Sequence, residues 1–179
     1  MIPLLRHFWR QRGGTTTIEF AFALPVLLVL LVGAFEVSQA LIVYMKVIDV
    51  ADTVSDLVAQ QKQVAESDID NYYIAGQLVM MPSVGSGLGL AVASVTFDPN
   101  TGNPSVAWQV TEGGAAAMTD AAAAATGLGS PGDSVIVAQA TYTYTSGIGY
   151  LISQGITMSS RVFSRPRVVF TIPCTAPCS

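Results

Sequence analysis

Charged residues are scarce in this sequence. Only 11% of its 179 residues are Asp, Glu, Lys or Arg, against about 25% in an ordinary soluble domain. Hydrophobic residues make up 51%, and the mean hydropathy is +0.51. This composition argues against a water-soluble cytosolic domain, and it excludes intrinsic disorder, which needs high charge and low hydrophobicity. The net charge of −4 argues against broad nucleic-acid binding, which requires a basic surface.

Histidine and cysteine, which are common in catalytic and metal sites, are also scarce. The one histidine is His7, and the two cysteines, Cys174 and Cys178, lie near the other end of the chain. A histidine-based catalytic triad is therefore excluded in the distal part of the chain. The short motifs of zinc peptidases, P-loop proteins and α/β-hydrolases do not occur either. We therefore expect a protein that is not an enzyme and that holds no metal ion and no cofactor.

Positive charge is missing from the middle of the sequence. Arg6, Arg10 and Arg12 lie close to the N-terminus, and no Lys or Arg occurs between Lys62 and Arg161. A short basic flank before an apolar segment stays on the cytoplasmic side of a membrane. We therefore expect the N-terminus inside the cell and the bulk of the chain outside the membrane.

An apolar run at residues 20–35 follows, bracketed by Glu19 and Glu36. A helix of this length spans roughly 24 Å, slightly less than the ~30 Å hydrocarbon core of a bilayer. It crosses the core if the two carboxylates lie near the two interfaces, and apolar residues continue beyond Glu36. We therefore predict a transmembrane helix over residues 15–45, with a buried helix of a globular protein as the alternative.

Pro25 and Glu36 are unusual residues for a membrane helix. Pro25 has no N–H and would leave the carbonyl of Ala21 without its helical partner, so a kink is expected there. Glu36 has no partner that the sequence identifies, and we expect it at the outer interface.

Beyond the apolar run the periodicity predicts that the helix continues to about residue 61. Asp49, Asp52 and Asp56 fall on one face, which is typical of an amphipathic helix. Apolar residues recur at spacings of three and four: Val47, Val50, Ala51, Val54, Leu57 and Val58. We assign residues 46–70 to this continuation and expect it to dock on an outer domain. The aspartate stripe is interpreted as a solvated face, with calcium binding as the alternative.

The N-terminal segment has three possible interpretations. Residues 38–40 (SQA) form a small-x-small site at which signal peptidase would release a soluble domain. A plain uncleaved anchor is the second reading. The third fits more residues and is a type IV prepilin leader over residues 1–14, because Gly13 and Gly14 follow the arginines directly. Glu19 then lies five residues after Gly14, at the start of the apolar run.

The third reading is supported by a wider pattern. The sequence reads GTTTIEFA at residues 14–21, then LP at 24–25, GAFE at 33–36, ADTVSDLVAQ at 51–60, TYTY at 141–144 and RPR at 165–167. With these motifs the chain resembles a TadE-like pseudopilin of the bacterial Tad (Flp, type IV-like) pilus assembly system. The resemblance implies a minor or accessory component that acts in pilus biogenesis, surface adhesion and secretion.

The resemblance also implies a processing site and partners. A prepilin peptidase would cut between Gly14 and Thr15, since cutting after Gly13 would move Glu19 from the fifth to the sixth position of the mature chain. Glu19, followed by Phe20, would then pair with the new α-amine of Thr15 on a neighbouring subunit, and this pairing cancels two charges that are costly in lipid. The implied partners are prepilin peptidase, other pilins or pseudopilins, the inner-membrane Tad assembly platform and the lipid bilayer, with no nucleic acid. The implied location is the bacterial inner membrane, crossed once, with a periplasmic C-terminal domain.

From about residue 71 to residue 172 the patterns predict a small β-rich domain. Turn-forming residues at 98–104 predict a hairpin, and alternation places Tyr142 and Tyr144 on one face of a strand, in the core or on the sheet surface. Strands are predicted at residues 88–97, 105–111 and 134–145, and residues 156–163 and 167–172 add one or two more. A short helix is predicted at residues 115–125. A long helix packed on a small antiparallel sheet is an α+β, pilin-like arrangement.

The last segment, residues 173–179, is predicted to be a tail with Cys174 and Cys178 in a C-x-x-x-C pattern. In an oxidising compartment these cysteines are expected to close a small disulfide loop. For the whole chain two functions of different class remain. One is the structural pseudopilin, and the other is a membrane-anchored periplasmic binding module with a passive, uncleaved anchor. A soluble domain released after Ala40 is a third.

Overall fold

The fold is described from a computed structural model that covers residues 14–83, 87–175 and 178, with side chains from residue 16 onward. The predicted leader, apart from the backbone of Gly14, lies outside the described residues. The element order is two helices, a hairpin, a short helix and two more strands. The predicted α+β class is confirmed.

Helix α1, Gly14–Ala59, is one unbroken helix of 46 residues, about 69 Å long at 1.5 Å per residue. Its second half buries the apolar stripe predicted from the sequence: Val47, Val50, Ala51, Val54 and Val58 are fully buried. The helix ends at Ala59, whose carbonyl oxygen accepts a hydrogen bond (2.9 Å) from the backbone N–H of Arg167. The predicted continuation to residue 70 is therefore too long.

A second helix, α2, Glu66–Met80, occupies residues that we assigned partly to the first helix and partly to the β-rich domain. Asp68, in its first turn, caps the N-terminus of α2, because its carboxylate accepts a hydrogen bond (2.9 Å) from the backbone N–H of Ala65. Ile69, Gly76 and Met80 form its buried face. A Cβ on Gly76 would lie 3.0 Å from the side chain of Val50, so the small residue lets α2 pack closely on α1.

The sheet contains strands β1 (Leu88–Phe97), β2 (Pro104–Glu112), β3 (Ser134–Tyr144) and β4 (Ile156–Ser164). They are antiparallel and follow the order β2-β1-β3-β4. Four of the predicted strands are confirmed. Between β1 and β2 the carboxylate of Asp98 accepts hydrogen bonds from the backbone N–H groups of Thr101 (2.7 Å) and Asn100 (2.9 Å). These hydrogen bonds close the predicted turn and lower the pKa of Asp98.

The strand predicted at residues 167–172 is wrong, because the described structure has no strand there. This segment is instead held by side chains of the strands. The indole N–H of Trp108 donates to the carbonyl of Ile172 (2.8 Å), and the hydroxyl of Ser134 donates to that of Phe170 (2.8 Å). The carbonyls of Phe170 and Ile172 thus accept from side chains and not from a neighbouring strand.

The two faces of the sheet are covered by different elements. One face, which includes Tyr142 and Tyr144, packs with the buried residues of α1 and α2 in the main core. On the other face, Val135 and Val137 pack with Met118 and with residues of a one-turn helix, α3, Ala121–Ala124. The helix predicted at residues 115–125 is thus present but much shorter, and glycines flank the alanine-rich segment on both sides.

Candidate functional site: the exposed part of the N-terminal helix

The first part of α1 is left largely uncovered by the described domain, although Tyr150 lies beside Leu28 and Val29. Residues 16–31 are all exposed, including Phe20, Phe22 and Leu31. The apolar window has a mean hydropathy of 2.5, and only 6% of it is buried. A core helix of a globular protein would bury most of such a segment, so that alternative is wrong. By length and composition this one helix could span a membrane.

Glu19 and Phe20 are both exposed in the first turns of this helix. Glu19 belongs to neither of the ion pairs that the described side chains form. Gly14 and Thr15 lie in the first turn of α1. The predicted cleavage between them, and the pairing of Glu19 with a neighbouring amine, remain predictions. Pro25 lies inside α1, which continues on both sides of it, and the expected kink also stays a prediction.

From Gly33 onward α1 is half embedded in its own domain. Gly33, Glu36, Val43 and Val47 face the domain and are buried. The opposite face, which we call the outer stripe, stays apolar and exposed: Phe35, Val37, Leu41, Ile42, Tyr44 and Met45. An apolar face therefore continues from the lipid-compatible segment past the point where the domain begins, which is a surface suited to another helix.

Glu36 is the residue for which the sequence identified no partner, and the structure gives it four. The turn between β3 and β4 wraps around its carboxylate, which is 1% exposed. Oε1 accepts from the hydroxyl of Ser146 (3.0 Å) and the backbone N–H of Tyr150 (2.8 Å). Oε2 accepts from the backbone N–H groups of Leu151 (2.7 Å) and Ile152 (3.1 Å). No sequence pattern marks these donors, since three of them are backbone groups more than a hundred residues away.

The three aspartates of the α1 stripe differ in their exposure and in their partners. Asp49 and Asp52 are exposed, while Asp56 forms an ion pair with Arg167. Among the described residues, no group of three His, Cys, Asp or Glu side chains is placed to hold a metal ion. The ion pair ties the segment after β4 to the end of α1, in addition to the backbone hydrogen bond between Arg167 and Ala59.

Two further predicted features lie in the globular domain. Tyr142 and Tyr144 are nearly buried in the main core, and the hydroxyl of Tyr142 donates to the carbonyl of Ser83 (2.6 Å). Both tyrosines are therefore structural. Cys174 and Cys178 are paired as a disulfide, next to an isolated bridge between Val64 and Cys174.

These features define a class: a protein with one lipid-compatible helix whose distal half carries a small α+β domain. One comparison with known families finds a similarity over part of the chain. The family model described as TadE-like protein matches residues 14–56, a stretch that begins with α1 and ends just short of its last turn. The chain is thus similar to TadE-like proteins over this stretch, which is about a quarter of its length. No curated protein and no solved structure matches the chain.

Proposed function

We propose that this protein is a minor pseudopilin of the Tad pilus assembly system, which acts by packing its α1 helix against the helices of other subunits. In this role it serves pilus biogenesis and, through the pilus, surface adhesion and secretion. The observation that carries the proposal is the apolar surface of α1, which is exposed around the whole helix over residues 16–31 and on the outer stripe beyond. A passive anchor needs the apolar surface at residues 16–31, but it does not need the exposed outer stripe.

Glu19 is the second support for the proposal. An unpaired carboxylate within a bilayer helix costs about 2.5–3.5 kcal/mol on insertion scales, and Glu19 is exposed on α1 with no ion-pair partner among the described side chains. Cleavage after Gly14 would create an α-amine at Thr15, one helical turn away from Glu19. Pairing of the two groups between neighbouring subunits would remove both unpaired charges and would set the axial register of the two helices.

The proposal includes a location and a set of partners. The arginines before residue 14 favour an inner-membrane protein with a cytoplasmic N-terminus and a periplasmic domain. Prepilin peptidase would act on the leader, and other pilins, pseudopilins and the inner-membrane Tad platform would contact α1. Lipid would surround residues 16–31 before assembly, because all of these residues are exposed.

The first experiment measures the mass of the mature protein after extraction from membranes. Cleavage after Gly14 predicts a chain that begins at Thr15, without the three arginines of the leader. A chain that begins at Met1 would remove the prepilin reading and would favour the passive anchor. A chain that begins at Leu41 and is recovered from the soluble fraction would instead show release by signal peptidase after Ala40.

The second experiment tests Glu19 by the substitution Glu19→Gln, with Asp52→Asn as the matched control on the exposed face of the same helix. We expect Glu19→Gln to abolish or strongly reduce pili while the protein level and its membrane location stay normal. Asp52→Asn should leave pili unchanged. Normal pili in the Glu19→Gln strain would show that the pairing is not needed and would favour a membrane-anchored binding module.

A further inference from the structure

The loop that holds Glu36 has an unusual surface. Residues 145–155 connect β3 to β4 and contain no charged side chain. Three large apolar residues of this loop are exposed: Ile148 by 54%, Tyr150 by 60% and Leu151 by 55%. Exposed apolar side chains that are adjacent in a loop, with no charge between them, are typical of a contact surface and not of a solvated turn.

The loop lies beside the apolar part of α1 and not beyond it. Tyr150 lines a pocket with Leu28, Val29 and Val32, all within the apolar run at residues 20–35. Leu28 precedes Glu36 by two turns of helix, which is about 12 Å along the axis. If α1 crosses a bilayer, the tip of this loop therefore reaches the depth of the hydrocarbon or its edge, and Tyr150 lies where aromatic residues are enriched at membrane interfaces.

A loop can enter lipid only if its backbone polar groups are satisfied within the protein. The carboxylate of Glu36 accepts the backbone N–H groups of Tyr150, Leu151 and Ile152. The same hydrogen bonds satisfy the carboxylate, which would otherwise be a costly charge beside lipid. Gly33 allows the loop to approach α1 closely, because a Cβ at this position would lie 2.7 Å from the Leu151 Cδ1 atom. Glu36 and these three N–H groups thus satisfy each other at the place where α1 leaves the apolar run.

We propose that residues 145–155 are a second membrane-contact element, which inserts Ile148, Tyr150 and Leu151 among phospholipid acyl chains beside α1. Glu36 is the positioning residue of this element. Two contacts with one leaflet, the helix and the loop, would fix the tilt of the globular domain relative to the bilayer. The proposal rests on α1 crossing the bilayer but not on the pilus role.

The test uses the full-length protein in vesicles of phosphatidylethanolamine and phosphatidylglycerol, at a low protein-to-lipid ratio. One nitroxide label is attached at an introduced cysteine in a Cys174→Ser, Cys178→Ser background. The test position is Tyr150→Cys, the lipid control is Leu30→Cys, and the water control is Thr101→Cys in the exposed β1–β2 turn. Collision rates of each label with oxygen, which partitions into lipid, and with a water-soluble nickel chelate report its depth.

We expect the label at residue 150 to collide several-fold more often with oxygen than with the nickel chelate, as at residue 30. A profile like that at residue 101 would place the loop in water and overturn the proposal. Low collision rates with both reagents would indicate burial against protein and would overturn it in favour of a subunit contact. A label at residue 30 that behaves as in water would overturn both the loop insertion and the membrane anchor.

The positioning role of Glu36 is tested with the label at Ile148→Cys, combined with either Glu36→Gln or the matched control Asp52→Asn. Glu36→Gln removes the charge and leaves one acceptor oxygen for four donors, so the label should shift toward water. Asp52→Asn should not move it. An unchanged depth in the Glu36→Gln protein would overturn the role of Glu36 even if the loop inserts.

Discussion

The two glutamates of α1 have opposite surroundings. Glu19 is exposed and belongs to neither ion pair of the described side chains, whereas Glu36 is buried by four donors of its own chain. In the sequence they look alike, since each borders the same apolar run. Glu36 therefore already has its intramolecular partners. Glu19 is the carboxylate that remains available to a group from outside the chain.

At the same scale, Asp120 and Arg161 predict an acid-dependent loss of stability. The guanidinium of Arg161 donates to both carboxylate oxygens of Asp120 (2.8 and 2.9 Å) and lowers the pKa of Asp120. An unfolded aspartate titrates near ~3.9, so the pair stabilises the fold above that pH, and the contribution is lost as pH falls through the lowered pKa.

The substitution Asp120→Asn should therefore lower the urea midpoint of the detergent-solubilised protein at neutral pH, and the difference from the wild type should shrink as the solution becomes acidic. Asp52→Asn, an exposed acid without an ion pair, serves as the control. A difference that is the same at neutral and acidic pH would show that the ion pair does not stabilise the fold.

At the scale of elements, the two parts of α1 have different surroundings. Its first part presents apolar side chains all round, which suits lipid, and its second part is amphipathic and forms one wall of the domain core. The change occurs at Gly33 and Glu36, where the loop before β4 meets the helix. Packing against the sheet, and not intrinsic propensity, stabilises most of the second part, as is usual for amphipathic helices.

This division predicts different outcomes for two neighbouring positions of α1. Val54 is fully buried and Asp52 is exposed. Val54→Asp buries an unpaired carboxylate and should lower the free energy of unfolding by at least about 3 kcal/mol. Asp52→Ala should change it by no more than about 0.5 kcal/mol. Urea denaturation followed by circular dichroism measures both, and equal effects would contradict the packing of this face.

At the scale of the whole molecule, the outer stripe continues the lipid-compatible surface of α1 beyond the start of the domain. Leu41 and Met45 lie on it one turn apart and are each more than half exposed. The domain packs on the opposite face of α1 and leaves the stripe exposed. In the proposed function, helices of other subunits would pack on this stripe.

We therefore expect the double substitution Leu41→Lys, Met45→Lys to reduce pilus number strongly without lowering the melting temperature of the domain, because both side chains are on the surface. Asp52→Lys, which adds charge to the solvated face of the same helix, should leave pili normal. Electron microscopy of cells and thermal melting of the purified protein measure the two properties. Normal pili in the double variant would show that the outer stripe is not an assembly surface.

The sequence by itself determined the long apolar helix, its amphipathic second half, the four strands and the family pattern. All of these depend on local periodicity and on the order of residues along one segment. The periodicity also placed the end of α1 at about residue 61, close to Ala59, but it did not show that Arg167 donates to the last carbonyl of the helix. Nor did it show the surroundings of Glu36, whose partners are backbone N–H groups that every residue except proline carries. Only the tertiary structure brings these donors to one carboxylate, and so it alone distinguishes the glutamate that the fold satisfies from the one it leaves exposed.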